Sequence, residues 1–392
     1  MRPGLVAAVT ALAACGRLGF DERVVPVDAV DPRCIVQLSA GDDHVCALLG
    51  EGSVWCWGRD LVGQLGNGMI ADAAYRPART LDGPYSAIGA GGDHTCGLAA
   101  DRSVACWGNN NNFQVSPTQI DSATPITTDI VADGLVVRGS HTCAAIGSTA
   151  RCWGDADGGQ LGDGTALDKL AAPTPIGETD VVRLYSGEDH LCAVTSSGLR
   201  CWGINSRGQL GVDPASTPSV CQDMAGAMVA CSTIPIDVVG LPPIRQVALG
   251  RGHSCAVTDD ATVYCWGDNV RGALGDGSMT TRSTPAVVPG LLATSVIAGD
   301  RFSCALTIAA TVTCWGDNGR GELASGDQII RPSPSPIGLT GVREIAAASA
   351  GQVVCARTDD SVYCWGANPW NTAGDTGGTD VVTPRLVMPA CP

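Results

Sequence analysis

The chain has 392 residues, only 16% of them charged, with 51 glycines, 23 prolines, 19 cysteines and a net charge of −15. Grip on nucleic acid or on an anionic lipid surface needs a basic footprint that displaces counterions, and no run of Lys or Arg exists anywhere in the sequence, which sets both functions aside. Nineteen cysteines also set aside a reducing compartment unless they hold metal.

In chain order, Arg2 is followed by a short apolar stretch, Leu5 to Ala14, that ends at Cys15. A helix needs about 20 apolar residues to cross a bilayer, so residues 1–14 read as a removed export signal. The segment Leu12-Ala13-Ala14-Cys15 resembles a bacterial lipobox, in which the cysteine is lipidated and becomes the new N-terminus. Cys15 is the expected lipidation site, and residues 15–31 are the lipidated cysteine and its tether. The expected location is the cell envelope, on a lipid anchor at the outer membrane or cell surface, with plain secretion as the alternative. Membrane contact is expected only through that anchor.

From residue 32 onward the sequence repeats. Cys-Trp-Gly occurs seven times, with Trp at 57, 107, 153, 202, 266, 315 and 365, spaced by 50, 46, 49, 64, 49 and 50 residues. Within each unit a β-rich run such as 244–250 ends in glycine. A short turn leads to His-x-Cys-Ala (253–256), a polar turn to the Cys-Trp-Gly strand (263–267), and a Gly-rich turn (268–277) to a Pro-containing connector. Short strands separated by Gly, Asp and Asn turns describe an antiparallel meander. One such sheet cannot bury both faces, so the units must stack radially and close. The expected fold is all-β, a β-propeller over residues 32–392 with about 50 residues per repeat.

The residues Cys56-Trp57-Gly58 with Gly63-Gln64-Leu65-Gly66, and Gly203-Ile204-Asn205 with Gly208-Gln209-Leu210-Gly211, resemble the regulator of chromosome condensation repeat family over residues 35 to about 388. The resemblance implies a seven-bladed propeller. It implies less about function, because the family includes guanine-nucleotide exchange factors, ubiquitin-ligase modules and a bacterial β-lactamase inhibitor. It also implies that the turns around the histidines line one rim of the axial channel, where the exchange-factor member meets its partner.

Each unit carries two cysteines that face each other across a hairpin, at a separation a disulfide accepts. The expected bridges are Cys46–Cys56, Cys96–Cys106, Cys143–Cys152, Cys192–Cys201, Cys255–Cys265, Cys304–Cys314 and Cys355–Cys364. A closed ring brings its ends together, which adds Cys34–Cys391. Cys221–Cys231 falls within the single long insertion, residues 212–235. Zinc is not expected: a hairpin supplies one His and two Cys with no fourth ligand, and Phe302 and Val353 stand in place of His in two units that keep both cysteines. Each Trp lies on the strand face opposite its neighbouring Cys, so the indole is expected to pack on the next unit's bridge.

Candidate binding residues cluster in two places. His44, His94, His141, His190 and His253 share one repeat position, and a structural, hydrogen-bonded role repeated five times is expected of them. The turns beside them carry Asp42, Asp43, Asp93, Glu188, Asp189 and Asp300, an acidic rim suited to a basic partner. The insertion holds Met224 and Met228, placed either outward for a partner or inward on their own blade. Lys169 is the only lysine and follows no phosphate-binding loop, and Asp155 and Asp157 lack the other ligands of a calcium loop. No cofactor, metal or catalytic residue is expected. The leading expectation is a monomeric, non-enzymatic interaction scaffold for a protein partner of basic or neutral charge. A carbohydrate-active hydrolase or lyase using rim carboxylates is the alternative, and nucleotide exchange comes last.

Overall fold

The computed structural model describes Asp31 and residues 33–166, 169–177, 180–374 and 377–391. The export signal, Cys15 and nearly all of the tether lie outside the described residues. The first unit sets the pattern: strands Ile35–Ala40, His44–Leu49, Val54–Asp60 and Ala71–Arg79 pair antiparallel in that order. Among the described residues the same antiparallel meander recurs along the chain, and the whole is a β-propeller. Two successive units share one long strand, Arg282–Ala298, whose start pairs with Thr262–Gly267 and whose end pairs with Phe302–Thr307. The second strand of each unit is almost entirely buried; His44–Leu49 is buried at every position. Outermost strands such as Ser122–Val131 keep a partly exposed pattern.

The glycine of each Cys-Trp-Gly marks a break in register between the third and fourth strands, as at Cys56/Gly58 and Cys265/Gly267. Gly58 has φ +103° and Gly267 has φ +102°. A Cβ there would run into the carbonyls of Asp43 and Gly252 respectively, so this bulge takes only glycine.

Cys46 stands directly opposite Cys56, and the other hairpin pairs share that register. Among the described residues nine bridges are present: the seven within hairpins have Cα–Cα distances of 4.0–4.1 Å, Cys34–Cys391 has 4.0 Å and Cys221–Cys231 has 5.8 Å. So many intrachain bridges fit an oxidising environment outside the cytoplasm.

Tryptophans join one unit to the next. Trp57 and its six equivalents are at most 5% exposed. Each indole N–H donates to a main-chain carbonyl in the preceding unit's Gly-rich turn: Gln64, Gln114, Gln160, Gln209, Ala273 and Glu322 accept from Trp107, Trp153, Trp202, Trp266, Trp315 and Trp365 at 2.8–3.0 Å. The indole shares its apolar cluster with the preceding unit's bridge, Trp266 with Cys192 and Cys201 for instance. This reverses the direction expected from sequence. Strand alternation fixes which face a side chain takes, but not which neighbour covers that face.

The ring closes without strand exchange. The strand Ile35–Ala40 stays in the first unit and Val381–Pro389 in the last. Trp57 donates to Thr372 O at 2.9 Å, the Thr372 hydroxyl donates to Asp43 O at 3.0 Å, and Ile35 N–H donates to Ala390 O at 2.7 Å. Cys34–Cys391 lies beside that last bond.

Candidate functional site

Turns between the first and second strands gather around one mouth of the axial channel, and they carry the candidate histidines and acids. The histidines are not a surface: all five are at most 1% exposed. Each Nε2 meets a hydroxyl of the following unit: His44 with Thr95, His94 with Thr142, His141 with Ser186, His190 with Ser254 and His253 with Ser303, at 2.6–2.9 Å. Thr95, Ser254 and Ser303 pass the bond on to the carbonyls of Gln64, Gln209 and Ala273, which also accept the indoles. Except at His141, the imidazole folds back over the glycine three residues before it, and a Cβ on Gly41 would strike the His44 ring. Burial lowers the pKa of His44, His94 and His190 to about 3 and of His141 and His253 to about 4. These rings are neutral joints between units, so their place among partner-binding candidates is corrected.

The acids do not form a continuous ring either. Arg59 lies 2.9 Å from Asp93 and 3.8 Å from Asp43, while its guanidinium stacks 5.6 Å from the centre of Trp370. Arg251 and Arg301 approach Asp300 at 3.7 and 3.9 Å. The rim is a mixed-charge surface, because arginines share the turns with the carboxylates.

Two acids turn inward instead. Glu188 is buried, and Ser349, from the opposite side of the ring, donates to its Oε2 at 3.0 Å. Asp42 sits nearby, with its Oδ2 against Gly92. Arg138 reaches the same place and donates to the carbonyls of Ala40 and Ala90 at 3.2 and 3.0 Å. Arg138 occupies the position held by glycine in the units of Gly41, Gly91, Gly187, Gly250 and Gly299, which left room at the axis for one long side chain. Together these groups narrow the mouth above a polar channel of about 340 Å³. Burial raises Glu188 to about 7, with Asp189 adding to the rise, and raises Asp42 well above the usual carboxylate range.

The insertion builds the most distinctive feature of this face. Strand Ser219–Gln222 pairs with the start of Met228–Val238 to make a hairpin on the fourth unit's sheet. Cys221–Cys231 clasps it, and both sulfurs pack on Ile204. Asp223 holds the tip by accepting from the N–H groups of Ala225 and Ala227 at 3.0 and 2.8 Å, and Gly226 makes the turn with φ +78°. Outside the hairpin, Gln222 N–H donates to Asp157 O and Asn205 N–H donates to Ala230 O. The tip is held at both ends. Met224 and Met228 are 55% and 62% exposed, and Val220 is 63% exposed, so the alternative in which the methionines pack inward is overturned. Beneath the tip lies a cleft of about 230 Å³ among the fourth, fifth and sixth units, walled by Ile204, Asp189, Met224, Arg251, Asp268 and Asp300 among others. The structure thus brings Asp189, Asp300 and Met224 together and leaves Asp43 and Asp93 in a separate patch. Burial pushes Asp189 up to about 7, with Asp155 and Asp223 adding repulsion and Arg251 offsetting part of it.

Fold and rim together define a repeat β-propeller with one face carrying shaped turns. The regulator of chromosome condensation (RCC1) repeat matches residues 35–64, 85–114 and, in overlapping copies, 181–322, and the chain belongs to that family. It is 48% identical to the human E3 ubiquitin-protein ligase HERC2 over 48 residues, 12% of this chain and 1% of that protein. It is 27% identical to the Arabidopsis thaliana ultraviolet-B receptor UVR8 over 274 residues, 68% of this chain and 48% of the receptor. This chain therefore spans about half the length of one relative and a small fraction of the other. Among solved structures, yeast RCC1 (Prp20) bound to Kap60 superposes with a TM-score of 0.68 at 23% identity, covering 81% of this chain and 78% of that one. Human WBSCR16 superposes with a TM-score of 0.71 at 19% identity, covering 86% and 94%.

Proposed function

We propose that this protein is a non-catalytic interaction scaffold that works outside the cytoplasm on a lipid anchor at Cys15, and that it meets a protein partner through the face bearing the inserted hairpin. The observation that carries the reading is the hairpin itself. Three large apolar side chains stand exposed on a loop that a disulfide, an aspartate-capped turn and two external main-chain bonds hold in one shape. An isolated exposed Met or Val needs no explanation, but a preorganised loop presenting three loses little entropy on docking. Methionine also adapts to the surface it meets. Asp43, Asp93 and Asp300 on this face are tied to arginines, Asp223 and Asp268 to turn N–H groups and Glu188 to a hydroxyl across the axis, so the unpaired Asp189 lacks a second free carboxylate with which to work on a sugar.

A photo-cross-linking residue placed at Met228 tests the reading against the same residue at Ile308, which is 59% exposed on a turn at the opposite end of the strands. A discrete cross-linked species in the native envelope from position 228 and none from 308 is the expected result. Equal labelling from both positions, or labelling from 308 alone, rejects this face.

A further inference from the structure

Four carboxylates line the cleft under the hairpin, and three of them are already engaged. Asp300 faces Arg251 and Arg301. Asp223 accepts from its own turn. Asp268 accepts from the Val270 N–H at 3.1 Å and the Thr281 hydroxyl at 3.4 Å. Of the four, Asp189 alone makes no side-chain hydrogen bond or ion pair among the described residues, although it lines the cleft half-buried. In the same cleft, Asp300 Oδ1 is sealed from solvent and already has a cation, Arg251, at 3.7 Å. Arg251 and Arg301 lean on Asp300 and Arg207 also lines the cleft, yet none of the three pairs with Asp189, so the half-buried Asp189 is left to draw a cation from outside.

The walls specify the rest of the guest. Ile204 and the overhanging Met224 give one apolar side to a space of about 230 Å³, which holds one long side chain and no folded element. Lysine and arginine combine such an apolar stem with a charged head. The chain's net charge of −15 also draws a cationic surface toward it.

We propose that this cleft takes a single lysine or arginine side chain of a protein partner, with its charged head on Asp189 and its stem beneath Met224. The proposal rests on the reading of this face as the partner-binding face and gives it a chemistry.

Methionine-methyl NMR tests it, because Met224 stands at the cleft while Met69 and Met279, also exposed, stand on other turns. The probe is the capped tripeptide acetyl-Gly-Arg-Gly-amide, with the Gln analogue as the neutral control. The expected result is a saturable shift of the Met224 methyl with the arginine peptide only. Asp189→Asn should weaken it at least tenfold, and Asp189→Glu should retain it. The unmoved methyls of Met69 and Met279 report that each variant is folded. Equal shifts at Met69, or an undiminished response in Asp189→Asn, would overturn the proposal. If position 228 cross-links a partner while the arginine peptide leaves Met224 unmoved, the pocket is rejected and the scaffold reading stands. If the peptide binds as described and position 228 captures nothing, the pocket stands and the scaffold reading is rejected.

Discussion

Replacing Cys34 and Cys391 by serine removes the one bridge that closes the ring. The two residues are 357 apart in sequence, so the loop-entropy relation gives about 5.8 kcal/mol at 25 °C. The other eight bridges remain in the unfolded chain and each short-circuits 9 or 10 residues. The effective loop is then roughly 280 residues, which lowers the figure by only about 0.2 kcal/mol because the dependence is logarithmic. With an unfolding entropy of about 2.1 cal/mol/K per residue over roughly 360 residues, the midpoint should fall by about 7 °C. Because the terminal strands are not exchanged between the first and last units, the rest of the seam is held by packing, in which Trp57 shares a buried cluster with Cys355 and Cys364, and by bonds from Trp57, Thr372 and Ile35 to main-chain carbonyls and from the Leu38 N–H to Glu344 Oε1 at 3.0 Å. Scanning calorimetry of Cys34→Ser/Cys391→Ser against wild type at one scan rate measures the shift, and circular dichroism should show the strands retained. A midpoint within about 1 °C of wild type would refute the reasoning and assign closure to packing alone.

Glu322 is buried where other units carry Gln64, Gln114, Gln160 and Gln209, and burial raises it to about 7 from 4.5. The stability of the protonated form is fully present below pH 4.5 and is lost as pH rises through 7. Glu322→Gln should therefore match wild type near pH 4 in urea unfolding and exceed it by up to about 3 kcal/mol at pH 8. The histidines titrate in the opposite sense. Their depressed pKa values give stability that is present above pH 6.5 and is lost on acidification, by about 2 kcal/mol per ring at pH 5. His190→Phe, which copies Phe302 at the equivalent place, should cost under about 1.5 kcal/mol at pH 7.5 and recover about 2 kcal/mol relative to wild type at pH 5; a pH-independent difference would mean that the ring is not held neutral. Trp266→Ala should cost about 3–5 kcal/mol by opening a cavity against Cys192–Cys201, read as a lower urea midpoint.

Most of the architecture is legible in the sequence because each recurring residue has a single physical use. Cys-Trp-Gly fixes a strand with a bridge on one face, an indole on the other and a bulge that only glycine can make. The spacing of the paired cysteines is enough to set them opposite each other. What the sequence does not yield is direction and depth. Nothing in an alternating pattern says that Trp266 leans on the preceding bridge, or that Glu188 turns to the axis to meet Ser349 while Asp43 remains on the rim beside Arg59. The charge of the rim departs from expectation for a plainer reason: Arg251 and Arg301 lie in the very turns that carry the acids, and a tally of carboxylates alone misses them.

A repeat also predicts what each position should hold, so its departures carry information that a unique sequence would hide. Arg138 replaces a glycine, and the added length fills the axial mouth. Leu191 replaces the hydroxyl that receives the histidine of the preceding unit, and Ser186, its partner in the adjacent strand, supplies one at 2.6 Å to His141. Phe302 replaces histidine and packs over Gly299 without a hydrogen bond. What persists around the ring is the filled joint, not the residue type, and each substitution is legible as a local solution to that constraint. The hairpin at 219–231 answers no such constraint: the fourth unit is already a complete four-stranded sheet without Ser219–Gln222. An addition that the fold does not need, held rigid with its apolar side chains outward, is explained by something outside the fold, and that favours this face as the one a partner meets.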